Sequence, residues 1–167
     1  MTPGRSRTPI PSPKSVVWRA TEWPDYVGPL LLDTHMWVWL LEGDTSRMAP
    51  TAPGLMQRAA TNGLLFVSDI SFWEVALKAS KGKLTLSVGA AIWLSRAERA
   101  PGISYFALDR TILIQSTQLA GALHADPADR MLIATAQLRS APLMTADDAI
   151  IAYAASEPGV PVCDSRP

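Results

Sequence analysis

The stretch PLLLDTHMWVWLLEGD, residues 29–44, decides the fold. Its three leucines, Leu30 to Leu32, precede a single acid at Asp33, which is typical of a strand buried on both faces of a parallel sheet. The apolar run after Asp33 is long enough for two helical turns, and Gly43 predicts where that helix ends. Asp33 is therefore expected at the carboxyl end of a central strand, the edge where open α/β sheets bind ligands. Because a buried charge is costly unless it is paired, this acid needs a partner.

The composition is that of one domain able to bury a core. The chain has 167 residues, 48% of them apolar, and 15 basic residues balance 15 acidic ones. No charged tail indicates a nucleic-acid-binding arm. The longest apolar runs are far shorter than the roughly 20 residues of a membrane helix, so no membrane association is expected. The single cysteine, Cys163, excludes an internal disulfide and a thiolate zinc cluster, which favours a reducing cytoplasm.

The N-terminal segment, residues 1–28, differs from the rest. It is rich in proline, with arginine and serine between the prolines, and we expect a disordered or extended lead. No apolar segment follows its basic residues, so a secretory signal is not indicated. Its apolar residues Val16, Val17, Trp18 and Trp23 are candidates to pack on the domain or on a partner. The predicted domain proper covers residues 29–164.

The rest of the chain alternates between helix and strand patterns. We predict helices over 34–42, 50–61, 71–81, 87–99, 110–120, 126–138 and 147–155, and strands over 30–32, 64–67, 103–108, 143–145 and 160–163. This alternation predicts an α/β fold with three layers, α/β/α, around a central, mostly parallel sheet of about five strands. Helical spacing places most of the tryptophans in the core, although a groove for a partner helix is an alternative. These tryptophans are Trp37, Trp39, Trp73 and Trp93.

Acidic side chains recur where the predicted helices open. In a parallel sheet these positions share one edge, so residues distant in sequence meet there. Close carboxylates raise each other's pKa, and a hard divalent cation such as Mg²⁺ or Mn²⁺ relieves their repulsion. The acids are Asp33, Glu74, Asp126, Asp129, Asp147 and Asp148.

Most of these acids also have a structural explanation. Ser71 and Glu74 have the spacing of a capping box, and Asp126 before a proline is a good N-cap. Thr145 is expected to cap the helix that carries Asp148. Capping explains neither the acid at Asp33 nor why acids recur along one edge.

Four segments in order give the chain a family resemblance. They are LLLDTHMWVWLLEGD, VSDISFWEVALKASKGKL, HADPADRMLIATAQL and PLMTADDAIIAY, and they extend over residues 30 to about 163. With these segments the chain resembles the PIN-domain ribonucleases, and among them the VapC toxins of bacterial toxin–antitoxin pairs. It departs from the family at Ala128, where phenylalanine is usual, and at Asp148, where arginine is frequent.

The resemblance implies a metal-dependent endoribonuclease. The catalytic and metal-binding acids would be Asp33, Glu74, Asp129 and Asp147, with Asp126 assisting. One or two Mg²⁺ ions, or Mn²⁺ as a substitute, would activate the water that hydrolyses an RNA phosphodiester, leaving a 5′-phosphate and a 3′-hydroxyl.

Basic residues beside these acids have two interpretations. Lys78 or Arg130 would contact the scissile phosphate, or Lys78 would form only an i,i+4 ion pair with Glu74. His35 is expected to point away from the site. For His124, an RNA contact and a loop or capping role are both open.

The resemblance also implies partners. They are the RNA substrate, a VapB-type antitoxin and a second copy of the chain, with an apolar patch exposed on the first two helices. A non-catalytic PIN-fold module that binds RNA or protein is the main alternative. A haloacid-dehalogenase-type phosphatase is disfavoured because His35 occupies the position of that family's second aspartate.

Overall fold

Six parallel strands form one sheet in the computed structural model, which describes residues 17–22, 25–121 and 126–167. The strands are β1 (Val17–Arg19), β2 (Leu30–Leu32), β3 (Leu65–Ser68), β4 (Ile103–Phe106), β5 (Leu143–Thr145) and β6 (Val162–Asp164), in the order β1-β6-β5-β2-β3-β4. The predicted α/β fold is confirmed, with six strands where about five were expected.

Seven α-helices are described, and each follows a predicted helical pattern closely. They are α1 (Thr34–Glu42), α2 (Ala52–Thr61), α3 (Asp69–Ser80), α4 (Ala90–Ala97), α5 (Arg110–Thr117), α6 (Pro127–Arg139) and α7 (Asp148–Ser156). A 3₁₀ turn at Thr45–Arg47 links α1 to α2. None of the helices in the described ranges has the length and hydrophobicity to cross a membrane.

Part of the N-terminal lead belongs to the sheet. β1 pairs in parallel with β6, with Val17 opposite Val162. Trp18 is buried, and its ring lies 5.1 Å from that of Tyr26. The boundary at residue 29 did not anticipate this strand, because three residues after a proline-rich run give little periodic signal. Residues 1–16 lie outside the described part of the chain.

The central strand β2 and helix α1 form as the sequence predicts. All three leucines of β2 are fully buried between β5 and β3. α1 ends at Gly43, whose φ of +73° is a left-handed conformation that glycine adopts without strain. The amide of Gly43 donates to the carbonyl of Leu40, and this closes the last turn.

Apolar side chains fill the space on both faces of the sheet. Leu30 and Leu32 belong to the core cluster that contains Trp37 and Trp93, whereas Leu31 belongs to the cluster that contains Leu132. This division follows the alternation of side chains along a strand. The core prediction is wrong for Trp73, which is half exposed on α3.

The topology places β2 and β5 at a switch point. β2 connects through α1 and α2 to β3 on one side, and β5 connects through α7 to β6 on the other. Neighbouring strands whose connections leave in opposite directions open a crevice at their carboxyl ends. Asp33 follows β2 directly, and Thr145 is the last residue of β5, so both lie at this crevice.

Candidate active site

The acidic edge, which we define as Asp33, Glu74, Asp129 and Asp147, is assembled from four segments. Asp33 and Asp147 are the residues immediately before α1 and α7, Glu74 lies in the second turn of α3, and Asp129 lies in the first turn of α6. Burial raises the pKa of Asp129 to about 8, with further contributions from the charges of Asp33, Asp126, Asp147 and Glu74. The fold therefore brings these carboxylates close enough to act on one another.

Asp33 is buried but well supplied with partners. Its side chain is 4% exposed, and the hydroxyl of Thr145 donates to Oδ2 at 2.6 Å. His35 Nδ1 lies 3.3 Å from Oδ1. Burial acts to raise the pKa of Asp33, but His35, Thr145 and the amide of Thr34 together hold it below its usual value. Asp33 is therefore an ionised carboxylate within the fold.

His35 does not point away from the site, contrary to the prediction. Its Nδ1 faces Asp33, and its Nε2 accepts a hydrogen bond of 3.0 Å from the amide of Ala146. The ring packs at 4.6 Å from Trp39. His35 is the first residue after the N1 position of α1, so strand alternation no longer governs its direction. Burial acts to lower the pKa of His35, but the charge of Asp33 raises it above the usual value.

Glu74 belongs to the acidic edge and not to a capping box. α3 begins at Asp69 with Ser68 as its N-cap, so Ser71 already lies inside the helix. The Glu74 side chain is buried, and the hydroxyl of Thr34 donates to its Oε2 at 2.5 Å. Its Oε1 contacts the ammonium of Lys78. Glu74 is thus held by α1 and by its own helix.

Asp147 and Asp126 cap the helices that follow them. Asp147 Oδ1 accepts from the amides of Ala149 at 2.8 Å and Ile150 at 3.0 Å. The prediction that Thr145 caps this helix is therefore wrong; Thr145 Oγ1 instead accepts from the amide of Asp147 at 3.0 Å. Asp126 accepts from the amide of Ala128 at 2.9 Å, as predicted for an N-cap.

The neighbouring acid Asp148 is largely outside the acidic edge. Its side chain is 85% exposed and forms an ion pair with Arg166 at 2.7 Å. Arg166 also binds Asp164 near the C-terminal end of β6. Arg166, near the C-terminus of the chain, therefore compensates the negative charge of Asp148.

The two candidate basic residues occupy different surroundings. Burial acts to lower the pKa of Lys78, but Glu74, Asp33 and Asp129 raise it, and its ammonium contacts Glu74. Arg130 donates instead to the carbonyls of Ser116 at 2.9 Å and Leu119 at 3.5 Å. The geometry favours Lys78 over Arg130 as the cation of the site. His124 lies outside the described residues.

The acidic edge has the donor chemistry of a hard divalent cation, since Mg²⁺ and Mn²⁺ prefer carboxylate oxygens. Within the described ranges, however, no three acidic, histidine or cysteine side chains are already arranged around one point as metal ligands. The contacts explain this difference, because Glu74 is engaged by Lys78 and Thr34, and Asp147 Oδ1 by its own helix. The residues therefore match such a cation in kind and in charge, although their side chains are not grouped around one point within the described ranges.

Sequence reasoning missed the hydroxyls that support the acids. Thr34 and Thr145 are both buried and donate to Glu74 and Asp33. Their signal in the sequence is weak, because a threonine next to a helix start is ordinarily a cap.

Large apolar side chains are exposed on helices other than the first two. Of the described residues, the exposed large apolar side chains are Val27, which precedes β2, and Trp73, Ile92, Leu113, Ile114 and Leu138, which lie on helices. None lies on α1 or α2, so the patch expected there is absent from the described surface. Leu113, Ile114 and Leu138 lie on α5 and α6, which pack against each other.

Two solved structures are similar to this chain. A chain of VapBC2 from Rickettsia felis, solved bound to a DNA fragment from its promoter, is similar in fold, with a TM-score of 0.56 and 12% identity over 81% of this chain and 98% of that one. A chain of a toxin–antitoxin complex from Klebsiella pneumoniae matches with a TM-score of 0.47 and 17% identity over 71% of this chain and 86% of that one. No curated protein sequence matches.

The family is shown by a sequence model. The model for the PIN domain matches residues 30–156, which is most of the chain and includes the whole acidic edge. The chain belongs to the PIN domain family.

Proposed function

We propose that this protein is a Mg²⁺-dependent endoribonuclease, the VapC-type toxin of a toxin–antitoxin pair. The observation that carries the proposal is the position of Asp33, Glu74, Asp129 and Asp147 at or near the starts of four helices. Burial, with the charges of the neighbouring acids, raises the pKa of Asp129 to about 8. Membership of the PIN domain family supports a nuclease. A carboxylate cluster at the switch point of a parallel sheet is suited to hold a cation and a phosphate together.

Each acid has a distinct role in this proposal. Asp33, kept ionised by His35 and Thr145, would be the fixed ligand of the cation, and Asp147 would add a second carboxylate from the start of α7. Burial and the charges around it raise the pKa of Asp129 to about 8, and a bound cation would favour its ionised form. Asp126 places Asp129 by capping α6. When bound, Mg²⁺ supplies an activated water and offsets the charge on the phosphate oxygens.

Lys78 is the substrate-facing cation of the proposed site. Its ammonium contacts Glu74 and is about half exposed, so a phosphate entering the crevice meets it. Arg130 has an auxiliary role. Its guanidinium donates to carbonyls at the end of α5 and so fixes the start of α6 there. The phosphodiester is thus positioned by Lys78 and held over the four acids.

Cleavage of RNA by purified protein tests the proposal. Activity with Mg²⁺ should disappear with EDTA and fall about a hundredfold or more in Asp33→Asn and in Asp129→Asn. Asp109→Asn is the matched control, because Asp109 also caps a helix but pairs with Arg139 outside the acidic edge. Cleavage that persists in both site variants comes from a contaminant and refutes the site.

A non-catalytic RNA- or protein-binding module is the second candidate. It is favoured by the engagement of Glu74 with Lys78 and by the lack of a ready metal group among the described residues. RNA retained on the protein without Mg²⁺-dependent cleavage would establish this candidate.

The proposed partners follow from the family and the exposed surface. We place the protein in the cytoplasm with a VapB-type antitoxin and propose a homodimer through Leu113, Ile114 and Leu138. The PIN domain proper would cover residues 29–164, with β1 as an addition to its sheet. Growth arrest on expression that a small neighbouring gene product suppresses would test the toxin role.

A further inference from the structure

Lys78 places a positive charge next to a buried carboxylate of the acidic edge. Its ammonium contacts Oε1 of Glu74 and lies within range of the charges of Asp33 and Asp129. Glu74 is 6% exposed, so its carboxylate has little access to water. A buried carboxylate next to two others is unfavourable without a compensating positive charge.

We propose that Lys78 is a built-in counter-cation of the acidic edge. Its ammonium pairs with Glu74 until a divalent cation displaces the ammonium. The proposal rests on the proposed function, because it assumes that the acidic edge is a cation site. It accounts for the presence of the four acids together with the lack of a ready ligand group among the described residues. Displacement also frees the ammonium to bind a substrate phosphate, so Lys78 is a positioning residue.

The two roles, counter-cation and ordinary i,i+4 ion pair, predict different effects on metal affinity when Lys78 is removed. If Lys78 only stabilises α3, its removal weakens the fold and leaves metal affinity unchanged or weaker. If Lys78 competes with the cation for Glu74, its removal makes metal binding tighter. The ion pair no longer has to be broken, and one positive charge no longer opposes the incoming ion.

Mn²⁺ binding to the full-length protein, measured by calorimetry and electron paramagnetic resonance, is the test. Lys78→Met should bind Mn²⁺ about fivefold more tightly than wild type, the change expected when a partly exposed ion pair is removed. In EDTA the same variant should melt at a lower temperature, and Mn²⁺ should raise its melting temperature by more than it raises that of wild type.

Two control variants separate charge from position. Lys78→Arg keeps the positive charge and should bind Mn²⁺ like wild type. Lys81→Met removes the same charge from an exposed position at the end of α3 and should also leave the affinity unchanged. In Glu74→Gln the effect of Lys78→Met should shrink to the part that comes from charge repulsion alone, which a double-mutant cycle detects. If Lys78→Met does not fold, Lys78→Gln serves in its place.

The outcomes distinguish this inference from the proposed function. Equal or weaker Mn²⁺ binding by Lys78→Met, with wild type binding normally, overturns the counter-cation role and leaves the nuclease intact. Tightening in Lys81→Met as well as Lys78→Met also overturns it, because net charge then explains the change. Failure of both wild type and Lys78→Met to bind Mn²⁺ at millimolar concentration overturns the proposed function and this inference together.

Discussion

Thr145 supports the acidic edge more than any other neutral side chain, and Thr145→Val tests this. The hydroxyl is fully buried at the end of β5, where it donates to Asp33 at 2.6 Å and accepts from the amide of Asp147 at 3.0 Å. Valine has nearly the same shape, so the variant removes two hydrogen bonds without leaving a cavity. The substitution therefore isolates the polar contribution of one oxygen atom.

The expected loss follows from the two bonds. A hydrogen bond to a charged acceptor contributes about 1.5–3 kcal/mol, and one from a backbone amide about 1 kcal/mol. Asp33 and the amide of Asp147 both lose a partner, so Thr145→Val should lower the free energy of unfolding by about 3 kcal/mol. Thr145→Ser keeps the hydroxyl and loses one methyl group, which costs about 1 kcal/mol.

Urea unfolding in EDTA, followed by circular dichroism, measures both variants under the same conditions. The midpoint should shift strongly for valine and weakly for serine, with an unchanged dependence on urea concentration. Mn²⁺ affinity should fall about tenfold or more in Thr145→Val, because residues that orient metal ligands have effects of that size. If valine destabilises the protein no more than serine does, the hydroxyl contributes little, and the role of Thr145 in holding Asp33 is refuted.

Three further predictions concern the remainder of the chain. Deleting residues 1–28 should destabilise the protein by about 3–5 kcal/mol, because it removes β1 and its buried tryptophan. Deleting residues 1–16 should leave the urea midpoint unchanged. Equal urea midpoints for the two deletion variants would refute a structural role for β1. Ile114→Asp should convert a dimer to a monomer in light scattering, whereas Ile92→Asp, with similar exposure on another helix, should not; dimers in both variants would exclude this face. Burial acts to raise the pKa of Asp164, but its arginine partners hold it below 3.8, so its stabilisation is complete above the unfolded value and lost as the pH falls through the folded pKa. Asp164→Asn should therefore be less stable than wild type at neutral pH but lose less stability on acidification below about pH 4, and parallel acid-unfolding curves would contradict this.

The sequence predicted the elements well because their signals are local. Each helix has an apolar stripe, and stops such as Gly43 fix where it ends. The buried leucines of β2 could be assigned to a parallel sheet because a strand covered on both faces cannot alternate with polar residues. β1 was missed because its membership of the sheet depends on pairing with β6, at the other end of the chain. Three residues carry too little pattern to indicate such a distant partner.

The acids of the site could be named from the sequence, but their contacts could not. Position at a helix start predicts that a carboxylate lies at the sheet edge, whatever the details of the fold. Which oxygen caps a helix and which faces a neighbour depends on the register between elements. Thr145 illustrates the difference, because it turned out to bind Asp33 across the crevice instead of capping α7. His35 likewise contacts Asp33 because α1 begins at Thr34, and a helical turn replaces strand alternation at that point.

The close carboxylates of the acidic edge are electrostatically unfavourable, and the surrounding residues compensate them to different extents. Asp33 is buried deeply, yet its pKa lies below the usual value because a hydroxyl, an imidazole and an amide all face it. Asp129 is less well compensated, so burial, with the charges around it, raises its pKa to about 8. Such an arrangement is unfavourable in a protein selected for stability alone, since apolar replacements at this edge would relieve the repulsion. The divalent cation proposed for this site would relieve the repulsion, because the affinity for such a cation increases with the number of close negative charges.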